Sequence, residues 1–135
     1  MPRKIIIMGH GNFPKALKDT AKLLLGETVD EKIIIIELQP EDTAEKIRNE
    51  LYSALNTVDE ALIFADIFGG TPSRVIAEVL LKSTYKSEAV FGVNLPMLLQ
   101  ALLEIDEKDV KTLAGEIIVQ GRESITTLSE KLSES

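Results

Sequence analysis

A chain of 135 residues, 44% of them hydrophobic, is long enough for one domain, 1–135, to bury a core without disulfides or bound metal. With no cysteine it can hold neither a thiol redox pair nor a thiolate metal site, and a net charge of −7 argues against nucleic acid and against an anionic membrane surface. Its apolar stretches, such as "KIIIIEL" and "VNLPMLLQALL", are too short or too interrupted to span a bilayer. The opening "MPRKIIIMGH" carries no signal-peptide pattern, so the expectation is a cytoplasmic protein without membrane insertion.

In chain order, the first strand is expected over Lys4–Met8, "KIIIM", a continuous apolar block of the kind buried in a sheet covered on both faces. A helix follows Pro14, with Leu17, Ala21, Leu24 and Leu25 as its apolar stripe and Gly26 as its stop. The second strand is Lys32–Leu38. "DTAE" then opens a helix with Asp42 as cap and Ala44, Ile47, Leu51, Ala54 and Leu55 on one face. The third strand, Ala61–Asp66, leads through "FGG" into a helix with Thr71 as candidate N-cap and Pro72 at its first position. A fourth strand, Glu88–Val93, is followed by a helix from Asn94. The tail from Lys108 reads as helical through Ile118, broken at Gly121, and then offers the β-branched "SITTL". Strands alternating with helices predict an α/β doubly wound, mostly parallel sheet with helices on both faces. No internal repeat or linker divides it.

Two loops at the carboxyl ends of strands, where open α/β sheets place their sites, carry unusual chemistry. "GHGN" holds the chain's one histidine, His10, between two glycines, and "DIFGGTPSR" joins a carboxylate, Asp66, to a glycine turn that opens a helix. In a sheet of order 2-1-3-4 the first and third strands are neighbours, so His10 and Asp66 would face each other across the switch-point crevice. The carboxylate would fix the imidazole tautomer and leave the other ring nitrogen free as base or nucleophile. The free N–H groups of Gly69, Gly70 and Thr71 at the helix start would form an anion cradle. Nucleophile plus phosphate cradle points to a phosphorylated histidine, with no metal and no cofactor. Taken singly, each feature also has a structural explanation: a hydrogen-bonding histidine, a loop carboxylate, a tight turn. Competing motifs fail on detail: the dinucleotide pattern lacks its third glycine, and there is no Walker loop, zinc cluster or serine-hydrolase elbow. A receiver-like regulatory module phosphorylated on Asp66 remains an alternative, although Met8, Gly9 and His10 stand where its metal-binding acids would be needed.

"MGHGNFPKALKDTAKLLLGE", "ADIFGGTPS" and "FGVNLPMLLQALLE", in this order and at these separations, resemble the IIA domain of the mannose-family sugar phosphotransferase system over nearly the whole chain. The resemblance implies a phosphotransferase. His10 would accept a phosphoryl group from the phosphocarrier HPr and pass it to a IIB component, and through it to the membrane components IIC and IID, with Asp66 orienting the ring. It also implies a homodimer in which a C-terminal antiparallel edge strand is exchanged, with "SITTL" as the candidate, and a IIB partner on a separate protein. Similar IIA-like units donate phosphate to dihydroxyacetone kinase, an alternative acceptor. Many members have Asn two positions after the "GG[ST]P" proline, where this chain has Arg74, read here either as a further phosphoryl ligand or as a solvated side chain. Phe13 and Phe68, each beside one of the two loops, are candidate contacts for HPr and IIB.

Overall fold

The computed structural model describes residues 2–82 and 84–134. Its sheet has the order β2-β1-β3-β4, all parallel, built from β1 (Arg3–His10), β2 (Ile33–Leu38), β3 (Glu60–Ala65) and β4 (Lys86–Phe91). The helices are α1 (Phe13–Leu25), the short α2 (Val29–Lys32), α3 (Ala44–Leu55), α4 (Thr71–Leu81), α5 (Leu95–Glu104), α6 (Val110–Glu123) and α7 (Leu128–Ser133). Isoleucine runs suit the central strands because alternate residues enter two different cores. Ile5 and Ile7 pack with Leu62, Phe64 and the inner faces of α5 and α6. Ile6 and Met8 pack with Ile63 and the inner faces of α3 and α4. All four side chains from Ile5 to Met8 are fully buried, each worth about 1.5–3 kcal/mol of transfer free energy.

Local signals set most boundaries. Pro14 sits in the first turn of α1, and Gly26, at φ +92°, ends it while its N–H donates to the Lys22 carbonyl. The α3 face holds as expected, with Ile47, Leu51, Ala54 and Leu55 buried. Asn94 caps α5, its Oδ1 accepting from the Met97 N–H at 3.0 Å.

Several expectations are corrected. Thr43 caps α3, accepting from the Lys46 N–H, while Asp42 closes the preceding turn by accepting from the Gln39 N–H. The N-cap of α4 is Gly70, so Thr71 is the first helical residue and Pro72 the second. Leu24 lies outside the α1 stripe, 59% exposed. β1 runs two residues further, pairing Gly9 with Glu37 and His10 with Leu38, and β4 starts and ends two residues earlier than expected. Gly121 does not break α6. It is needed inside the helix, where a side-chain carbon would sit 2.6 Å from the Met97 sulfur of α5.

Among the described residues of the single chain, the segment expected as a C-terminal edge strand exchanged between subunits takes no strand conformation. Ser124 terminates α6, and the Thr127 hydroxyl accepts from the Glu130 N–H at 3.1 Å to start α7. The β-branched character of "SITTL" favours a strand only against a neighbouring strand, and within one chain the Thr127 hydroxyl serves as a cap.

Candidate functional site

His10 is the last residue of β1 and Asp66 the first after β3, two adjacent parallel strands, so the fold sets them side by side. The His10 Nδ1 lies 2.8 Å from Asp66 Oδ2, and the same oxygen accepts the His10 backbone N–H at 2.9 Å. The other carboxylate oxygen accepts the Ile67 N–H at 2.9 Å. Burial pushes the Asp66 carboxyl up, but the His10 N–H, the His10 ring and the Ile67 N–H together outweigh it and hold the group below the usual carboxylate range. An ionised carboxylate can only accept, so Nδ1 carries a proton and donates a hydrogen bond to Oδ2, which in the neutral imidazole leaves the Nε2 lone pair free.

Close approach explains the glycines. A side-chain carbon at Gly9 would meet Asp66 Cγ and Oδ2 at 3.1 Å, so glycine lets the carboxylate reach the strand end. Gly11, at φ +58°, turns the chain out of β1, and its N–H donates to the Leu38 carbonyl at 2.9 Å. Gly70 packs against the Cε1–Nε2 side of the imidazole, where a side-chain carbon would stand 2.8 Å from Cε1 and 3.3 Å from Nε2. The ring is thus gripped between Asp66 and the start of α4 while 45% of its side-chain surface stays open to solvent.

The expected cradle is only partly available. Gly70 and Thr71 begin α4, where backbone N–H groups lack intrahelical partners and the helix dipole favours an anion. The Gly69 N–H is not free: it donates to Ser73 Oγ at 2.7 Å. Gly69 instead supplies the turn, at φ +104°. Arg74 is 63% exposed, and its Nε lies 3.9 Å from Glu78 Oε1 one turn further along α4.

Sequence reasoning missed two participants. The Ile67 N–H, which anchors Asp66, has no sequence signature. Ser73 has one, a hydroxyl four residues after a turn glycine, the spacing of a local side-chain to backbone bond. In the two loops, Ile67 and Phe68 are exposed, Phe68 resting edge-on against Phe91 with ring centroids 5.1 Å apart, and Phe13 stands exposed at the start of α1.

The depressed Asp66 carboxyl links the site to stability. Its proton affinity is lower folded than unfolded, so its stabilising contribution is complete above the unfolded value of about 3.9 and drains away as pH falls through the folded value. The difference in denaturation midpoint between the wild type and Asp66→Asn is therefore expected to be largest near neutrality and to close in strong acid. A gap that does not change with pH would contradict the assignment.

Residues 4–118 match the family model described as the fructose IIA component of the PTS, EIIA-man. Among curated relatives, the sorbose-specific EIIA component of Lacticaseibacillus casei is 30% identical over 96% of this chain and 94% of its own length. The fructose-specific EIIA component of Bacillus subtilis (strain 168) is 30% identical over 95% of this chain and 88% of its own length. Among solved structures, the phosphotransferase system component EIIA from Streptococcus agalactiae superposes with a TM-score of 0.89 at 29% identity, covering 95% of this chain and 98% of that one. The α/β fold and its site thus define a IIA component of the phosphotransferase system. More narrowly, the chain belongs to the mannose family of such components, EIIA-man.

Proposed function

We infer that this chain is a sugar phosphocarrier that takes a phosphoryl group from phospho-HPr onto His10 Nε2 and hands it to a IIB component, which phosphorylates sugar as it enters through the membrane components IIC and IID. The observation that carries this reading is the 2.8 Å contact between Nδ1 and Asp66, which presents Nε2 unprotonated at the mouth of the α4 turn. Nε2 attacks phosphorus in line. The bond between phosphorus and the donor ring nitrogen breaks, and that nitrogen keeps the electron pair. The positive charge that develops on the His10 ring is held by Asp66 through the Nδ1 proton, and the N–H groups of Gly70 and Thr71 offset the charge on the phosphoryl oxygens. Transfer to IIB is the same step with the roles exchanged. The exposed Phe13, Ile67 and Phe68 give both partners an apolar rim to bind against. The chain works in the cytoplasm, and no described helix is long and apolar enough to cross a membrane. Exposed Leu103, Ile125, Leu128 and Leu132, on or beside the last three helices, support self-association as a homodimer.

The test is the chemistry of the label. After incubation with phosphoenolpyruvate, enzyme I and HPr, the chain is expected to carry one phosphoryl group that is lost in acid and survives alkali. The opposite lability would identify an acyl phosphate on Asp66 and overturn the reading in favour of a receiver-like module. That outcome runs against the geometry, because both Asp66 oxygens are already engaged, Oδ2 by His10 twice and Oδ1 by Ile67.

A further inference from the structure

Ser73 is the one polar side chain that is buried among the described residues, 4% exposed, and it lies on the inner side of α4 rather than against the imidazole. Its hydroxyl makes two bonds to the turn that faces His10. Oγ accepts the Gly69 N–H at 2.7 Å and donates to the Gly70 carbonyl at 3.2 Å. The same Gly70 carbonyl accepts the first helical bond, from the Arg74 N–H at 3.1 Å. Gly69 and Gly70 are both glycine, the most flexible residue the chain could place there, and Gly69 adopts a backbone conformation that costs other residues strain. Left to themselves, two consecutive glycines would sample many turn geometries. The hydroxyl bonds one on its N–H side and the other on its C=O side, and so removes that freedom.

We propose that Ser73 is a positioning residue for phosphoryl transfer: its hydroxyl fixes the Gly69–Gly70 turn so that the free N–H groups at the start of α4 stand at the Nε2 edge of His10. The contact at stake is tight. The Gly70 α-carbon is close enough to the ring that a substituent on it would reach Cε1 at 2.8 Å, so a shift of a fraction of an ångström in the turn moves the cradle relative to the nucleophile. The bond also has a selective effect. By occupying the Gly69 N–H it leaves the N–H groups of Gly70 and Thr71 as the cradle's donors.

This inference rests on the phosphocarrier reading, and the experiment separates the two. Wild type, Ser73→Ala and Ser73→Thr are labelled with phospho-HPr and, separately, with phosphoramidate, a small donor that makes no protein contacts. Ser73→Ala is expected to be labelled about tenfold more slowly by both donors, with the KM for phospho-HPr unchanged, and Ser73→Thr, which keeps the hydroxyl, is expected to recover most of the rate. A wild type labelled by neither donor sinks the phosphocarrier reading itself. A wild type that is labelled while Ser73→Ala matches it within twofold overturns only the role of Ser73, as does a folded Ser73→Thr as slow as Ser73→Ala. Should Ser73→Ala fail to fold, amide hydrogen exchange on the wild type decides. The Gly69 N–H is expected to be protected while those of Gly70 and Thr71 exchange freely, and a Gly69 N–H that exchanges as fast as its neighbours overturns the proposal.

Discussion

His10→Ala is expected to take no phosphoryl label from phospho-HPr while keeping the fold, with only a small drop in melting temperature. The stability half of this expectation follows from placement. The ring is 45% exposed and belongs to neither core cluster, so its removal opens no cavity, and its Nδ1 bond is one of three hydrogen bonds to Asp66. The His10 backbone N–H remains to hold the carboxylate after the side chain is gone. Together these put the expected loss at about 1 kcal/mol. The activity half follows from chemistry. His10 is the sole histidine of the chain, and no cysteine is present to substitute as a nucleophile. Mass mapping of proteolytic fragments checks both the site and its loss. A His10→Ala chain labelled to wild-type stoichiometry would show that phosphate enters elsewhere.

How much of this was legible in the sequence depends on the range of the interaction involved. Three of the four strands could be read because a buried parallel strand needs a short uninterrupted apolar run, and "IIIM", "IIII" and "LIFA" have hardly any other use. The pairing of His10 with Asp66 followed from strand order, since residues at the carboxyl ends of neighbouring strands must meet. What escaped was decided by single hydrogen bonds between groups that could each have bonded otherwise. Asp42 and Thr43 are both good caps, and their neighbours' geometry assigned one to the Gln39 N–H and the other to the Lys46 N–H. Gly69 and Gly70 look interchangeable in "FGGTP", yet one turns the chain with its N–H bonded to Ser73 and the other packs on the imidazole. Gly121 read as a helix breaker because propensity is local, whereas the reason for glycine there is Met97 on another helix. "SITTL" read as a strand by composition, but strand character needs a partner strand, and within the single chain its hydroxyls make capping bonds.

The division of labour between the two glycines gives the second large expected effect. Gly70→Ala should slow phosphoryl transfer by about a hundredfold without unfolding the protein. At φ −87° and ψ −179° Gly70 has an extended backbone that alanine adopts freely, so no conformational strain opposes the change. The obstacle is the ring. The new methyl carbon would lie 2.8 Å from His10 Cε1 and 3.3 Å from Nε2, well inside the contact distance of two carbons. Something must yield, and each way out damages the site. If the imidazole swings away, it gives up the 2.8 Å bond through which Asp66 holds the Nδ1 proton, and Nε2 no longer points at the cradle. If the turn retreats instead, it strains the bonds that tie Gly69 and Gly70 to Ser73 and carries the N–H donors away from the nucleophile. Either movement is about half an ångström to an ångström, which near-attack geometry does not tolerate. Gly69→Ala makes the contrasting control: nothing lies within 4 Å of its added carbon, but φ +104° is unfavourable for alanine, so its loss should appear as lower stability. Single-turnover labelling beside thermal denaturation distinguishes the two patterns. Wild-type rates in a folded Gly70→Ala chain would mean that the α4 turn does not shape the approach to Nε2.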